Sequence, residues 1–280
     1  MELSVIVDEI SMDFERALDI MLKHDVKGAE LRGLWDTNIA DLSHEQVARA
    51  KAALDSRRMT VTCIASPFFK CELEGSEGGK VGQTHQATQR GLDQQMDLLD
   101  RCIRLAKVFD TKFVRIFAFW RRGELTEEIE QQIIEAMKEP ARIAEKAGVI
   151  LGLENEHACC LGTGVEIARV IEAVNSPALK AVWDPGNAFC AGEVPYPVGY
   201  EAVKDHIVHV HIKDGVWEGG KVKFVRVGDG DVDYWGQLRA LKADGYNGYL
   251  SLETHYKPGG AAEEGSQECL VSLKDMLAKL

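Results

Sequence analysis

The sequence has no CxxC pair, and its seven cysteines, scattered from Cys63 to Cys269, are odd in number. A disulfide framework or a structural zinc knuckle is therefore not expected, and a reducing cytoplasm is the expected compartment. No run of about 18 apolar residues, the length a membrane helix requires, occurs anywhere, so no membrane partner is expected. The opening Met1-Glu2-Leu3-Ser4-Val5 lacks a basic region followed by an apolar stretch, so no secretory leader is expected. Positive charge is in deficit: 33 Lys and Arg face 45 Asp and Glu, for a formal net charge of −12. Phosphate backbones demand a basic surface, which argues against nucleic acid as a partner. No GxGxxG follows the first apolar run and no P-loop occurs, so the usual cradles of an open doubly wound sheet are missing. Neither a linker nor a low-complexity tract divides the chain.

What is present is alternation. Short apolar, often β-branched runs at 3–7, 28–31, 60–65, 112–116, 150–154, 178–183, 207–212 and 249–253 read as strands bounded by Gly, Asp or Pro. Amphipathic stretches at 12–24, 43–56, 86–108, 126–147, 164–174, 234–243 and 265–280 read as helices, with a weaker one at 201–205. Ser43 opens the second with acidic Glu45 in its first turn, and Gly148 closes the fourth. Eight βα units imply a parallel sheet, and a chain of 280 residues suits one α/β domain, a (β/α)₈ TIM barrel over 1–280. The longest irregular segments, 67–83, 185–199 and 213–233, each follow a strand. In a barrel they would emerge together at the C-terminal face, where active sites are built. Exposed outer helices leave room for a homo-oligomer.

Strands five to eight each end on a metal-ligand residue type: Glu154, Asp184, His211 and Glu253. A charge at the end of an apolar strand is costly unless paired or bound to a metal. Singly, each could be an ordinary ionic contact; four in succession, on strands about 4.8 Å apart, could converge on one ion. Three carboxylates and one imidazole form a mostly hard oxygen set, suited first to Mn²⁺ or Mg²⁺ and tolerant of Co²⁺ or Zn²⁺.

The segments carrying these residues are Leu153-Glu154-Asn155, Trp183-Asp184-Pro185-Gly186-Asn187, His209-Val210-His211-Ile212-Lys213-Asp214 and Ser251-Leu252-Glu253. With Gly228-Asp229-Gly230, they resemble the motifs of the xylose-isomerase-like barrel superfamily, which includes sugar phosphate isomerases and epimerases, inosose-processing enzymes and endonuclease IV. The resemblance implies a divalent-metal-dependent isomerase or epimerase acting on a small carbohydrate or sugar-derived ketone. It implies Glu154, Asp184, His211 and Glu253 as ligands, with Glu154 and Glu253 also moving protons through an enediolate. A chelated carbonyl is polarised and its adjacent C–H acidified, and a carboxylate on each side can take and return the proton.

Two positions depart from the ketose 3-epimerases: Asn187 stands where they have histidine, and Trp217 where they have arginine. A lyase working on an oxidised sugar by the same residues is therefore the second expectation. Endonuclease IV-like repair fits poorly with the charge, and a non-catalytic sugar-binding barrel would not need two carboxylates beside an ion. His157, Asn187 and Lys213 are candidate substrate contacts. His209 is expected inside the barrel, Arg115 and Arg226 in ion pairs, His255 and Tyr256 at the rim, and Lys70 on a mobile loop. Phe68, Phe69, Phe117, Phe119, Trp120 and Trp183 are expected in the core or the pocket wall.

Overall fold

The structure, a computed structural model, describes residues 1–73 and 84–280. Eight strands form the barrel: β1 (Glu2–Ile6), β2 (Gly28–Leu31), β3 (Thr60–Ala65), β4 (Phe113–Ile116), β5 (Ile150–Glu154), β6 (Leu179–Trp183), β7 (Ile207–Ile212) and β8 (Tyr249–Leu252). Every neighbouring pair is parallel, and β1 closes the ring on β8 with Leu3 opposite Leu250 and Val5 opposite Leu252. The chain thus forms the closed parallel α/β barrel expected from the alternation. The open sheet is excluded.

The helices start where side chains satisfy their free N–H groups. Asp13 caps Phe14–Lys23, whose buried face is Phe14, Ala17, Leu18, Ile20 and Met21. Ser43 and Gln46 form a capping box on His44–Ser56, as Thr163 and Glu166 do on Gly164–Val174. Thr126 starts Glu127–Ala147, and Gly148, at φ 71°, ends it in the left-handed conformation. These apolar faces pack on the strands in one continuous core. Trp183 lies at its centre, with Nε1 donating to Gln237 Oε1 at 2.9 Å.

Three expectations need correction. The helix expected over 86–108 is only Gln95–Val108, preceded by a single 3₁₀ turn at Leu92–Gln94. The segment ahead of Gly91 is polar and lacks an apolar face; Asp41 holds it instead by accepting from Thr88 N and pairing with Arg90. The segment expected to be irregular over 185–199 begins with a helix, Pro185–Cys190, with proline in its first turn and Asp184 as its cap. The segment over 213–233 begins with an antiparallel hairpin, Asp214–Glu218 with Lys221–Val225, turning through Gly219 and Gly220 at positive φ. Of the loop expected over 67–83, residues 74–83 lie outside the described residues. Among the described residues no helix is long and apolar enough to cross a membrane, and the seven cysteines form no disulfide.

Candidate metal centre

At the C-terminal end of the barrel, Glu154, Asp184, His211 and Glu253 are all buried, each offering one ligand atom within 4.8 Å of the others. His211 Nδ1 stands 3.3 Å from Glu154 Oε1, 3.6 Å from Glu253 Oε2 and 3.9 Å from Asp184 Oδ2. The other ring nitrogen, Nε2, lies 3.0 and 3.1 Å from the two oxygens of Glu30. Glu30 is fully buried, and burial would raise its pKa, but His211 and His209 hold it well below the usual carboxylate range. A carboxylate only accepts, so Nε2 carries a proton, and Nδ1 is the ring atom presented to the other three acids.

Glu30 also accepts from Ser251 Oγ at 2.6 Å and faces His209 Nε2 at 2.8 Å. The register of β2 on β3 slips between Ala29 and Glu30, the kind of irregularity that re-aims a side chain. His209 is therefore a hydrogen-bonded barrel-interior residue, as expected.

The outer oxygen of each glutamate is tied to a guanidinium. Arg115 Nη1, on β4, donates to Glu154 Oε2 at 3.1 Å, and Arg32 Nη1, just past β2, donates to Glu253 Oε1 at 2.6 Å. Arg32 is anchored in turn by Asp8 at 2.9 Å and Glu9 at 2.5 Å. Burial opposes ionisation of Glu253, yet Lys213 and His211 keep its pKa well below the usual range. Lys213 itself is buried, with Nζ 2.8 Å from Asp184 Oδ2 and 2.7 Å from Glu253 Oε2. Gly186 permits this packing, because a Cβ there would meet the Lys213 backbone oxygen at 2.6 Å. Burial would lower the His211 pKa, but Glu30 and Glu154 raise it well above its ordinary value.

This donor set fits a divalent ion. Three carboxylate oxygens and one imidazole nitrogen face one point, and the remaining oxygens of both glutamates and the second His211 nitrogen are engaged elsewhere. Such outer partners orient ligands. Among the described residues, two further groups have metal-like composition. One, Glu30 with His209 and His211, is the hydrogen-bond network already described. The other, Glu9 with Glu253 and His255, is crossed by the Arg32 guanidinium.

Asn187 is buried, and its amide donates to Glu154 Oε1 at 3.0 Å and Asp184 Oδ2 at 3.3 Å. Its oxygen lies 3.2 Å from His157 Nδ1. His157 lies at the edge of a cavity of about 690 Å³ together with Asn187, Trp217, Phe224 and His255. Tyr256 is not among the lining residues. Phe68, Phe69 and Phe119 stack within the core, while Phe117 and Trp120 form a small separate cluster. Arg226 forms a surface pair with Asp229. Lys70, expected on a mobile loop, is instead buried against Phe117.

Sequence reasoning missed Glu30, Arg32, Glu9, Glu156 and His85. Glu30 and Arg32 had a signal: charges in and just after an apolar strand need buried partners. His85, just ahead of the helix expected from 86, lines the cavity.

The match to known proteins agrees with this architecture. The chain belongs to the xylose isomerase-like TIM barrel family, whose model matches residues 18–275. It is 24% identical over 217 residues to the 3-oxo-isoapionate decarboxylase of Pectobacterium atrosepticum, covering 71% of this chain and 76% of that protein. It is 24% identical over 279 residues to the inosose dehydratase of Clostridium perfringens, covering 88% and 83% respectively. Among solved structures it resembles the IolI protein with a bound zinc atom, at a TM-score of 0.77 and 19% identity, covering 100% of this chain and 99% of that one. Proteins of this group named for their reactions are enzymes, including decarboxylases, dehydratases and epimerases.

Proposed function

We propose that the protein is a divalent-metal-dependent enzyme that removes a proton beside the carbonyl of a small sugar-derived ketone and returns it, as an isomerase or epimerase does. The observation that carries this reading is the pair Glu154 and Glu253. Glu154 ends β5 and Glu253 directly follows β8; both place one oxygen toward His211 Nδ1, and both have the other oxygen held by a guanidinium. On this reading Glu154, Asp184, His211 and Glu253 hold one ion, Mn²⁺ before Mg²⁺, Co²⁺ or Zn²⁺. Such an ion supplies Lewis acidity to a carbonyl and lowers the barrier to losing the neighbouring proton.

The protein's own groups do the rest. Arg115 and Arg32 fix the two carboxylates in place, each holding the outer oxygen of one glutamate. One glutamate takes the carbon-bound proton, leaving the substrate as an enediolate. Return from the other side inverts that carbon, whereas return to the neighbouring carbon interconverts aldose and ketose. The Lys213 ammonium, between Asp184 and Glu253, balances charge as the proton moves. Asn187 links Glu154 and Asp184 to His157, which reaches substrate at the cavity edge.

A second reading, a lyase, has its own support. Lys213 is a proton donor beside Glu253, placed to assist a leaving group, and the two sequence relatives described above are named for a decarboxylation and a dehydration. One experiment separates them. Turnover of a panel of sugar-derived ketones in D₂O, followed by NMR and mass spectrometry, should give isomers carrying one carbon-bound deuterium. A product lighter by water or carbon dioxide selects the lyase. Full retention of the substrate's own hydrogen refutes proton transfer by the glutamates.

A further inference from the structure

The cavity that meets the ligand cluster through Asn187, which donates to Glu154 and Asp184, has a basic wall in a chain of net charge −12. Lys70, His157, Lys221, His255 and Lys257 line it against one acid, Glu156, beside His85, whose pKa burial holds well below the usual histidine range. Lys70 is the deep member. Its side chain is 3% exposed, and Nζ lies 4.2 Å from the Phe117 ring centre and 5.6 Å from that of Trp120. Among the described residues its one hydrogen-bond acceptor is Glu156 Oε2, at a long 3.4 Å. Glu156 is also shared: Oε1 faces His157 Nδ1 at 3.0 Å and accepts from Ala158 N at 3.2 Å.

An ammonium carries three donors, and a buried one needs close counter-charge. Lys213 shows the satisfied case, with two carboxylates at 2.7 and 2.8 Å. Lys70 is equally buried and, among the described residues, has only a distant half-share of one. The aromatic faces beneath it attract the cation but cannot accept its remaining N–H groups as a carboxylate would. Lys221, at the turn of the overhanging hairpin, and Lys257 are exposed at the outer rim, where they add positive potential along the entrance.

We infer that the substrate carries an anionic group, a carboxylate, which Lys70 anchors in this wall while the reacting ketone faces Glu154 and Glu253. The inference rests on the reading of the site as one acting on a sugar-derived ketone, and narrows that class to sugar acids. A phosphate ester shares the anionic chemistry, but it would ask more donors at depth than Lys70 alone presents, since His157 stands at the cavity edge.

The test is calorimetric titration of the full Mn²⁺-loaded chain with three six-carbon probes: D-gluconate, neutral D-glucitol and D-glucitol 6-phosphate. D-Gluconate should bind at least about tenfold tighter than D-glucitol, the scale of one charge-assisted contact. Lys70→Met should remove that preference and leave D-glucitol binding within about twofold, while Lys70→Arg should retain most of it. Because Lys70 is buried, Lys221→Glu with Lys257→Glu provides a second arm on exposed positions. It should weaken D-gluconate severalfold, more so at low salt, and spare D-glucitol. Equal affinity for acid and polyol, or no measurable binding of either acid, overturns the inference. So does a D-gluconate preference that survives Lys70→Met, since the ion would then be holding the acid. Tighter binding of the phosphate ester overturns the carboxylate assignment. Manganese content, measured on the same samples, separates these failures from loss of the metal centre on which the wider reading depends.

Discussion

Replacing Glu30 with glutamine tests whether the imidazole of His211 is held by design. Three donors converge on Glu30: His211 Nε2 at 3.0 and 3.1 Å, His209 Nε2 at 2.8 Å and Ser251 Oγ at 2.6 Å. Glutamine keeps the shape but offers one acceptor oxygen, and its amide brings N–H groups against donors. At least one buried donor loses its partner, which should cost about 1–3 kcal/mol of folding stability. The effect on the ion should be separable. Loss of the carboxylate frees His211 to turn or to move its proton to Nδ1, the nitrogen that must stay bare for a ligand. Outer-partner losses of this kind weaken metal binding by about 10- to 100-fold, or about 1.4–2.8 kcal/mol. Competition between chelator-stripped protein and a metal-binding dye for Mn²⁺ would measure it, with thermal unfolding in parallel. If Glu30→Gln binds Mn²⁺ within about twofold of the parent while melting earlier, Glu30 only fills the barrel, and the orienting role assigned to it is wrong.

Three further outcomes are expected. EDTA should abolish turnover and Mn²⁺ should restore it best; full activity of metal-free protein would make the four-residue cluster purely structural. Glu154→Gln and Glu253→Gln should each lower kcat by about 10²-fold, the usual scale for losing a general acid or base, and a loss confined to KM would remove them from proton transfer. Asp214→Asn should lower stability by about 1–3 kcal/mol, since it strips acceptors from buried N–H groups. The aspartate accepts from Gly215, Gly228, Gly230 and Val232, fastening the hairpin to the Gly228-Asp229-Gly230 turn. An unchanged urea midpoint would show that other contacts hold that turn.

The parts legible in the sequence were those whose signal is local. An apolar strand ending in an acid or a histidine can be read from five residues, so Glu154, Asp184, His211 and Glu253 stood out before any fold was known. Partners across the barrel are not local. Glu30 sits on β2 and reaches His211 on β7, and nothing within a dozen residues of either names the other. Arg32 gathers Asp8 and Glu9 from one end of the chain and Glu253 from near the other in the same way. The hairpin was a different kind of miss. Gly219-Gly220 between two short runs is a turn signal, and the segment's length alone made it look irregular. The helix expected from 86 starts only at Gln95, because the apolar spacing of 98, 102, 105 and 108 does not extend back into the polar stretch before Gly91.

The charge layout of the site has a consequence for orientation. Its floor, behind the residues that line the cavity, gathers six buried carboxylates, from Asp8, Glu9, Glu30, Glu154, Asp184 and Glu253, against the fixed cations Arg32, Arg115 and Lys213. The floor therefore favours a further cation, met by protonated His211 or by a divalent ion. Its wall reverses the sign, with Lys70, Lys221 and Lys257 against Glu156. A neutral sugar presents similar hydroxyls along its length and could enter either way round. A molecule with a ketone at one end and an acid at the other has a single favourable direction between such a floor and wall. On the proposed function, that direction would set which hydrogen meets Glu154 and which meets Glu253. Selectivity between neighbouring carbons would then come from the distance between Lys70 and the ligand cluster, rather than from contacts to each hydroxyl. Asn187 and Trp217, which replace the polar grips of the ketose epimerases, are compatible with that division of labour: Asn187 spends its amide on Glu154 and Asp184, and Trp217 packs against Phe189 at 5.8 Å.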